Sequence, residues 1–101
     1  MGHVTILFRA TAKPGNADAV REALLAAVAP TRAEPGCISY ELHVDEDNSS
    51  RFTSYELWAS DEALQAHGQA PHVAALGALW ALLEEGPSDA ISRLTPLSQR
   101  T

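Results

Sequence analysis

The stretch "YELWASDEALQAHGQAPH", residues 55–72, places Glu56 two positions before Trp58, then His67 and His72 five apart across Gly68 and Pro71. A histidine beside an apolar pocket can serve as a general base near neutral pH, because its unperturbed pKa is about 6.5. His67 follows Leu64 by three and Ala63 by four, which puts it on the inward, apolar face of a short helix. The competing role is a core histidine tied to backbone. His72 falls in the first turn after Pro71, where the helix dipole favours the neutral ring, and is expected to assist His67. The other two histidines, His3 and His43, have no comparable neighbours in sequence. No metal site is expected. The five-residue step differs from the i, i+4 spacing that sets two histidine ligands on one helical face, and no third ligand is obvious.

Glu56 and Trp58 share one strand face by the period of two. Trp58 is either core packing or the wall of a substrate pocket for a flat aromatic ligand. An inward Glu56 must be paired, hydrogen-bonded or protonated. Arg9 or Arg93 would make it structural, whereas an unpaired Glu56 would have a raised pKa and could join proton transfer. Tyr40 is expected in the core, with its hydroxyl tied off or reaching the ligand.

The hydrophobic periods define the elements that position these groups. Val4, Ile6, Phe8 and Ala10 alternate as strand one. After "KPGNAD", the residues Ala17, Val20, Ala23, Leu24, Ala27 and Val28 predict an amphipathic helix from 16 to about 33, bent or ended by Pro30. Strand two, "CISYELHV", alternates Ile38, Tyr40, Leu42 and Val44 against Cys37, Ser39, Glu41 and His43. The polar run "DEDNSS" (45–50) forms a hairpin loop before strand three, "RFTSYELW". Ser60 caps a short helix ending near Gly68. Pro71 opens another, with Val73, Leu76, Trp80 and Leu83 as its apolar stripe. "AISRLTPL" (90–97) is a last strand. The order β-α-β-β-α-β, with the second helix broken in two, is the ferredoxin-like arrangement: an α+β fold whose four-stranded antiparallel sheet has its helices on one face. Strands two and three carry large apolar groups on both faces, so the uncovered face calls for a second copy of the chain, a homodimer closing into a barrel.

At 101 residues the chain suits one domain, 1–101, only marginally stable alone. Seven Lys plus Arg against thirteen Asp plus Glu leave a net charge of −6, with no basic cluster, which argues against nucleic acid and anionic membrane as partners. No apolar run approaches the roughly 20 residues of a membrane span, and the N-terminal stretch does not read as a signal peptide. A cytoplasmic protein is expected. The single cysteine, Cys37, forms no internal disulfide and is expected as a core thiol. There is no glycine-rich phosphate loop, no Ser-His-Asp grouping and no nucleophilic-cysteine signature.

The segments "KPG", "APTRAEPGCISYELHVD", "NSSRF", "YELW" and "AHGQAPHVAAL", with a final "LTPL", together resemble the antibiotic biosynthesis monooxygenase (ABM) family, small dimeric α+β barrels that include cofactor-independent quinol monooxygenases. The resemblance runs from strand one to strand four. It implies an enzyme that oxidises a quinol, polyphenol or polyketide-type aromatic with dioxygen and no cofactor, with His67 and His72 as catalytic residues and Trp58, Glu56 and Tyr40 at the substrate. The haem-degrading branch of the family has an asparagine in strand one, where this chain reads "ILFRA". The isomerase branch, acting on a phosphorylated signalling sugar, shares an "SRF…YE" strand and an "H…PH" junction but lacks the tryptophan seen here as Trp58. Two other functions therefore stay open: isomerisation of a small hydroxy-ketone by a histidine acid/base pair, and a non-catalytic ligand-binding dimer.

Overall fold

The computed structural model describes residues 2–98. Strand β1 (Val4–Thr11) leads into helices α1 (Ala17–Ala26) and α2 (Val28–Arg32), then strands β2 (Cys37–Asp45) and β3 (Asn48–Trp58). Helices α3 (Asp61–Gly68) and α4 (Pro71–Ala74) follow. The chain continues as tight 3-10 turns over Ala75–Leu82, then a single turn α5 (Pro87–Ala90) and strand β4 (Ile91–Leu94). The sheet has the order β2-β3-β1-β4, with every neighbouring pair antiparallel. This is the α+β, ferredoxin-like architecture expected from the sequence.

Five local details differ from the sequence-based expectation, each for a physical reason. The first helix is two helices. Pro30 has no N–H to offer the Ala26 carbonyl, and its ring crowds that carbonyl, so the helix breaks at Ala27, whose own N–H reaches back only to Leu24. The hairpin loop is shorter than 45–50 because Asp45 pairs with Asn48. The Asp45 side chain accepts the Asp47 N–H at 2.9 Å, and the Asn48 side chain accepts that of Ser50 at 3.0 Å. A bulge between Cys37 and Ser39 sets Cys37 opposite Trp58 and leaves Ile38 48% exposed, so Ile38 drops out of the inward set. The helix expected after Pro71 is α-helical for one turn only. Gly77 weakens an α-helix there by about 1 kcal/mol relative to Ala, and the segment is apolar along nearly all its length, so no single stripe fixes one face. Finally, β4 ends at Leu94, short of Pro96, which has no N–H for the ladder.

One sheet face packs under the helices in cross-strand rows set by the register: Val4, Trp58 and Cys37; Ile6, Glu56 and Tyr40; Phe8, Ser54 and Leu42; Ala10, Phe52 and Val44. The larger core cluster joins Ala10, Ala12 and Phe52 of the sheet side to Val20 and Leu24 of α1 and to Leu79 and Leu83. A smaller one holds Val4, Ile6 and Trp58, with half-buried Cys37, Ala63 and Leu64 packed on it. Cys37, expected in the core, thus sits at its edge. Burial pushes its thiol pKa up, and the carboxylates of Glu34 and Glu56 push the same way, so the thiolate is disfavoured. The opposite face carries Leu7, Tyr55 and Leu94, of which Tyr55 is 41% and Leu94 38% exposed. Among the described residues, no helix is long and apolar enough to cross a membrane.

Candidate active site

A cavity of about 360 Å³ opens between the sheet and its helical layer. This lies at the small end of the roughly 300–1,000 Å³ typical of small-molecule sites. Its walls are apolar: Ile6 and Phe8 of β1, Leu24 of α1, Ile91 of β4, and Leu76, Leu79 and Trp80 from the 3-10 segment. Phe8 and Trp80 meet edge to face, with ring centroids 6.2 Å apart. Five lining residues carry polar side-chain groups: Thr31, Tyr40, Glu56, His67 and, through its indole N–H, Trp80.

The period of two along β3 aligns Ser54, Glu56 and Trp58 on the inward face. Glu56 is 5% exposed, yet both carboxyl oxygens are satisfied on its own strand. One accepts the Ser54 hydroxyl at 2.8 Å and the other the Trp58 indole N–H at 3.0 Å. Burial raises the Glu56 pKa, and these two donors only partly offset it. Neither Arg9 nor Arg93 pairs with it. Arg93 bonds Asp61 at 2.7 Å, and Arg9 is exposed on the far face of the sheet. Tyr40, opposite Glu56 on β2, is 5% exposed, and its phenol is pushed up to about 12 by burial and by Glu56. Tyr40 is therefore a hydrogen-bonding group and not an acid at neutral pH.

Trp58, expected either in the core or as a pocket wall, lies beneath the site. It is fully buried, does not line the cavity, and stacks on His67 with ring centroids 4.6 Å apart and planes tilted by 36°. Its bulk holds the imidazole from below while its N–H holds Glu56. His67 is positioned by α3, whose first turn is capped by the Ser60 side chain accepting the Ala63 N–H at 3.1 Å.

The decisive partner is Glu34, a residue that the periodicity does not single out. Its Oε2 accepts from His67 Nδ1 at 2.8 Å and from His72 Nε2 at 2.6 Å. The three side chains keep 12% (Glu34), 15% (His67) and 19% (His72) of their surface exposed. A carboxylate at Nδ1 puts the ring proton there and leaves Nε2 of neutral His67 with its lone pair free. His72 shares the carboxylate but does not line the cavity. The structure thus brings Glu56, Tyr40 and His67 to one cavity, with Trp58 and His72 behind His67.

Gly36 makes this meeting possible. Glu34 precedes a Pro-Gly turn in which Gly36 adopts φ +86°, and a Cβ there would lie 2.5 Å from the Ala63 Cβ of α3. Only glycine lets the turn lie against the helix that carries His67. The one signal in the sequence was "EPG" itself, a carboxylate beside a turn immediately before a strand. Glu34 also supplies the third donor that the histidine spacing alone did not reveal. Its oxygen and the two histidine nitrogens lie within 4.8 Å of one another, so the trio could hold a divalent cation in place of the two N–H protons.

Comparison with known proteins agrees with this architecture. The antibiotic biosynthesis monooxygenase family model matches residues 3–78. The solved structure of PA3566 from Pseudomonas aeruginosa is 36% identical, with a TM-score of 0.87 over 97% of each chain. That of Rv0793 from Mycobacterium tuberculosis is 32% identical, with a TM-score of 0.88 over 99% of this chain and 100% of its own. The curated Rv0793 sequence, whose monooxygenase name is provisional, aligns at 36% identity over 68% of this chain and 67% of its own length. A Synechocystis protein of uncharacterised function, sll1783, is 42% identical over 45% of this chain, a match spanning only 31% of its own length. With three quarters of its residues inside the family model and two relatives of this fold above 30% identity across nearly their whole length, the chain belongs to the antibiotic biosynthesis monooxygenase family.

Proposed function

We propose that the protein is a cofactor-independent monooxygenase that oxidises a quinol or polyphenolic aromatic with dioxygen. The observation that carries this reading is the Glu34–His67 dyad at the edge of an apolar cavity. His67 Nε2 takes the phenolic proton. Glu34 keeps the other ring nitrogen protonated and stabilises the imidazolium that forms, and the apolar walls exclude water. The resulting quinolate is electron-rich enough to reduce dioxygen itself. For 1,4-dihydroxynaphthalene, substrate plus dioxygen gives 2-hydroxy-1,4-naphthoquinone plus water. The substrate supplies all four electrons, one oxygen atom enters the ring and the other leaves as water. Tyr40 and Glu56 line the substrate pocket, Trp58 backs the base and His72 assists through Glu34.

In this reading the working unit is a homodimer, closed over the sheet face that carries Leu7, Tyr55 and Leu94. The shared Glu34 also suits a histidine acid/base pair for isomerisation of a hydroxy-ketone. Against a phosphorylated substrate stands the lining: among the described residues it contains no Lys or Arg. Oxygen uptake by the purified protein, with 1,4-dihydroxynaphthalene and anthrone and no added metal or flavin, tests the proposal. Label from ¹⁸O₂ should enter the product. No uptake above the uncatalysed rate with either compound, nor with a wider set of hydroquinones, refutes the oxygenase.

A further inference from the structure

Among the described residues, Thr31 Oγ1 is the buried side-chain polar atom that meets no hydrogen-bond partner. Thr31 is 0% exposed and lines the same cavity as Tyr40, Glu56 and His67. Its backbone is engaged on both sides. The N–H bonds the Ala27 carbonyl, and the carbonyl accepts the Glu34 N–H, each at 3.1 Å. The second bond ties Thr31 to the turn that carries the dyad's carboxylate. A hydroxyl left unbonded in an apolar wall is destabilising, and valine would fill the same shape without that penalty. A position so placed is explained if its partner arrives with the ligand.

Several other polar groups at the cavity are already occupied. Both Glu56 oxygens are taken by Ser54 and Trp58, and His67 Nδ1 is taken by Glu34. The Tyr40 phenol, its pKa pushed up to about 12 by burial and by Glu56, keeps its proton and remains a donor. Among the groups left for a ligand, two differ in character: the His67 Nε2 lone pair, which takes a proton, and the fully buried Thr31 hydroxyl, which can donate. We propose that Thr31 hydrogen-bonds a second oxygen of the substrate, so that the cavity selects aromatics carrying two oxygen functions, one for His67 and one for Thr31. This rests on the reading of the cavity as a substrate site. A site built to bond an oxygen discriminates against analogues lacking it, because its own buried group is then left unpaired.

Anaerobic titration of the full chain, followed by quenching of tryptophan fluorescence, tests the assignment. The probes are 1-naphthol, with one oxygen, and 1,4-, 1,5- and 1,8-dihydroxynaphthalene, with two. At least one diol should bind about 3- to 10-fold tighter than 1-naphthol, the worth of one net hydrogen bond. Thr31→Val should erase that increment and leave 1-naphthol binding unchanged, while Thr31→Ser should retain most of it. Without ligand, the Val variant should melt at the wild-type temperature or above. A drop of several degrees would make the hydroxyl a structural group and overturn the proposal. An increment that survives Thr31→Val, an absent increment in the wild type, or an equal loss for 1-naphthol overturns it too, while the cavity reading stands. Failure of all four probes to bind the wild type overturns both.

Discussion

Replacing Glu34 tests the site most directly, because one oxygen atom holds two histidines. In Glu34→Ala, two partly buried ring N–H groups lose a charged acceptor at 2.8 and 2.6 Å. Hydrogen bonds to charged groups are worth about 1.5–3 kcal/mol each. The two share one oxygen and are not additive. The side chains also keep 12–19% exposure, so water replaces part of the loss. The expected destabilisation is therefore about 2–3 kcal/mol, read from urea unfolding at pH 7. Glu34→Gln keeps an acceptor oxygen but no charge, and should lose only about 1 kcal/mol of stability. Its turnover should fall by about 100-fold or more, because nothing then stabilises the His67 imidazolium or fixes its tautomer. Stability of Glu34→Ala within 0.5 kcal/mol of wild type, together with turnover of Glu34→Gln within about threefold, would refute the dyad, since these fall below the smallest effects expected of it.

His67→Ala should fold and lose about 100-fold or more in turnover, with His67→Gln almost as impaired; full activity of the Gln variant between pH 5 and 9 would reduce His67 to a positioning group. Burial raises the Glu56 carboxyl above its ordinary value, so the folded state holds that proton more tightly than the unfolded chain. The resulting stability is complete below the unfolded value of about 4.3 and lost as pH rises through the folded value. Glu56→Gln, which cannot ionise, should thus gain stability relative to wild type as pH goes from about 4 to 8; a constant difference across that range would contradict the raised pKa. Gly36→Ala meets both a positive φ and the Ala63 Cβ. It should lose about 1–3 kcal/mol and activity with it, with partial recovery on adding Ala63→Gly; unchanged melting would show that the turn is not clamped. Sedimentation at micromolar concentration should give twice the mass of the chain, and a stable monomer would count against the closed sheet face.

The sequence determined the fold through its local periods. Alternation fixed which residues of β1 and β3 face the helices, and so it alone put Ser54, Glu56 and Trp58 on one inward row. Ser60, Pro71 and Gly68 marked where helices start and stop, because caps and breakers act within one turn of chain. The inward placement of His67 was equally legible. What the sequence left open is whatever depends on contacts between distant segments. Glu34 lies 33 residues from His67 and 38 from His72 along the chain, and no period links them. Their meeting depends on the left-handed turn at Gly36, which lets the loop before β2 lie against α3. The same holds for Trp58. Its face was readable, but the histidine that stacks on it and separates it from the cavity comes from another element. The bulge at Ile38 and the orphaned hydroxyl of Thr31 belong to the same class. A register shift needs a partner strand, and an unmet hydrogen bond exists only once everything around it has packed.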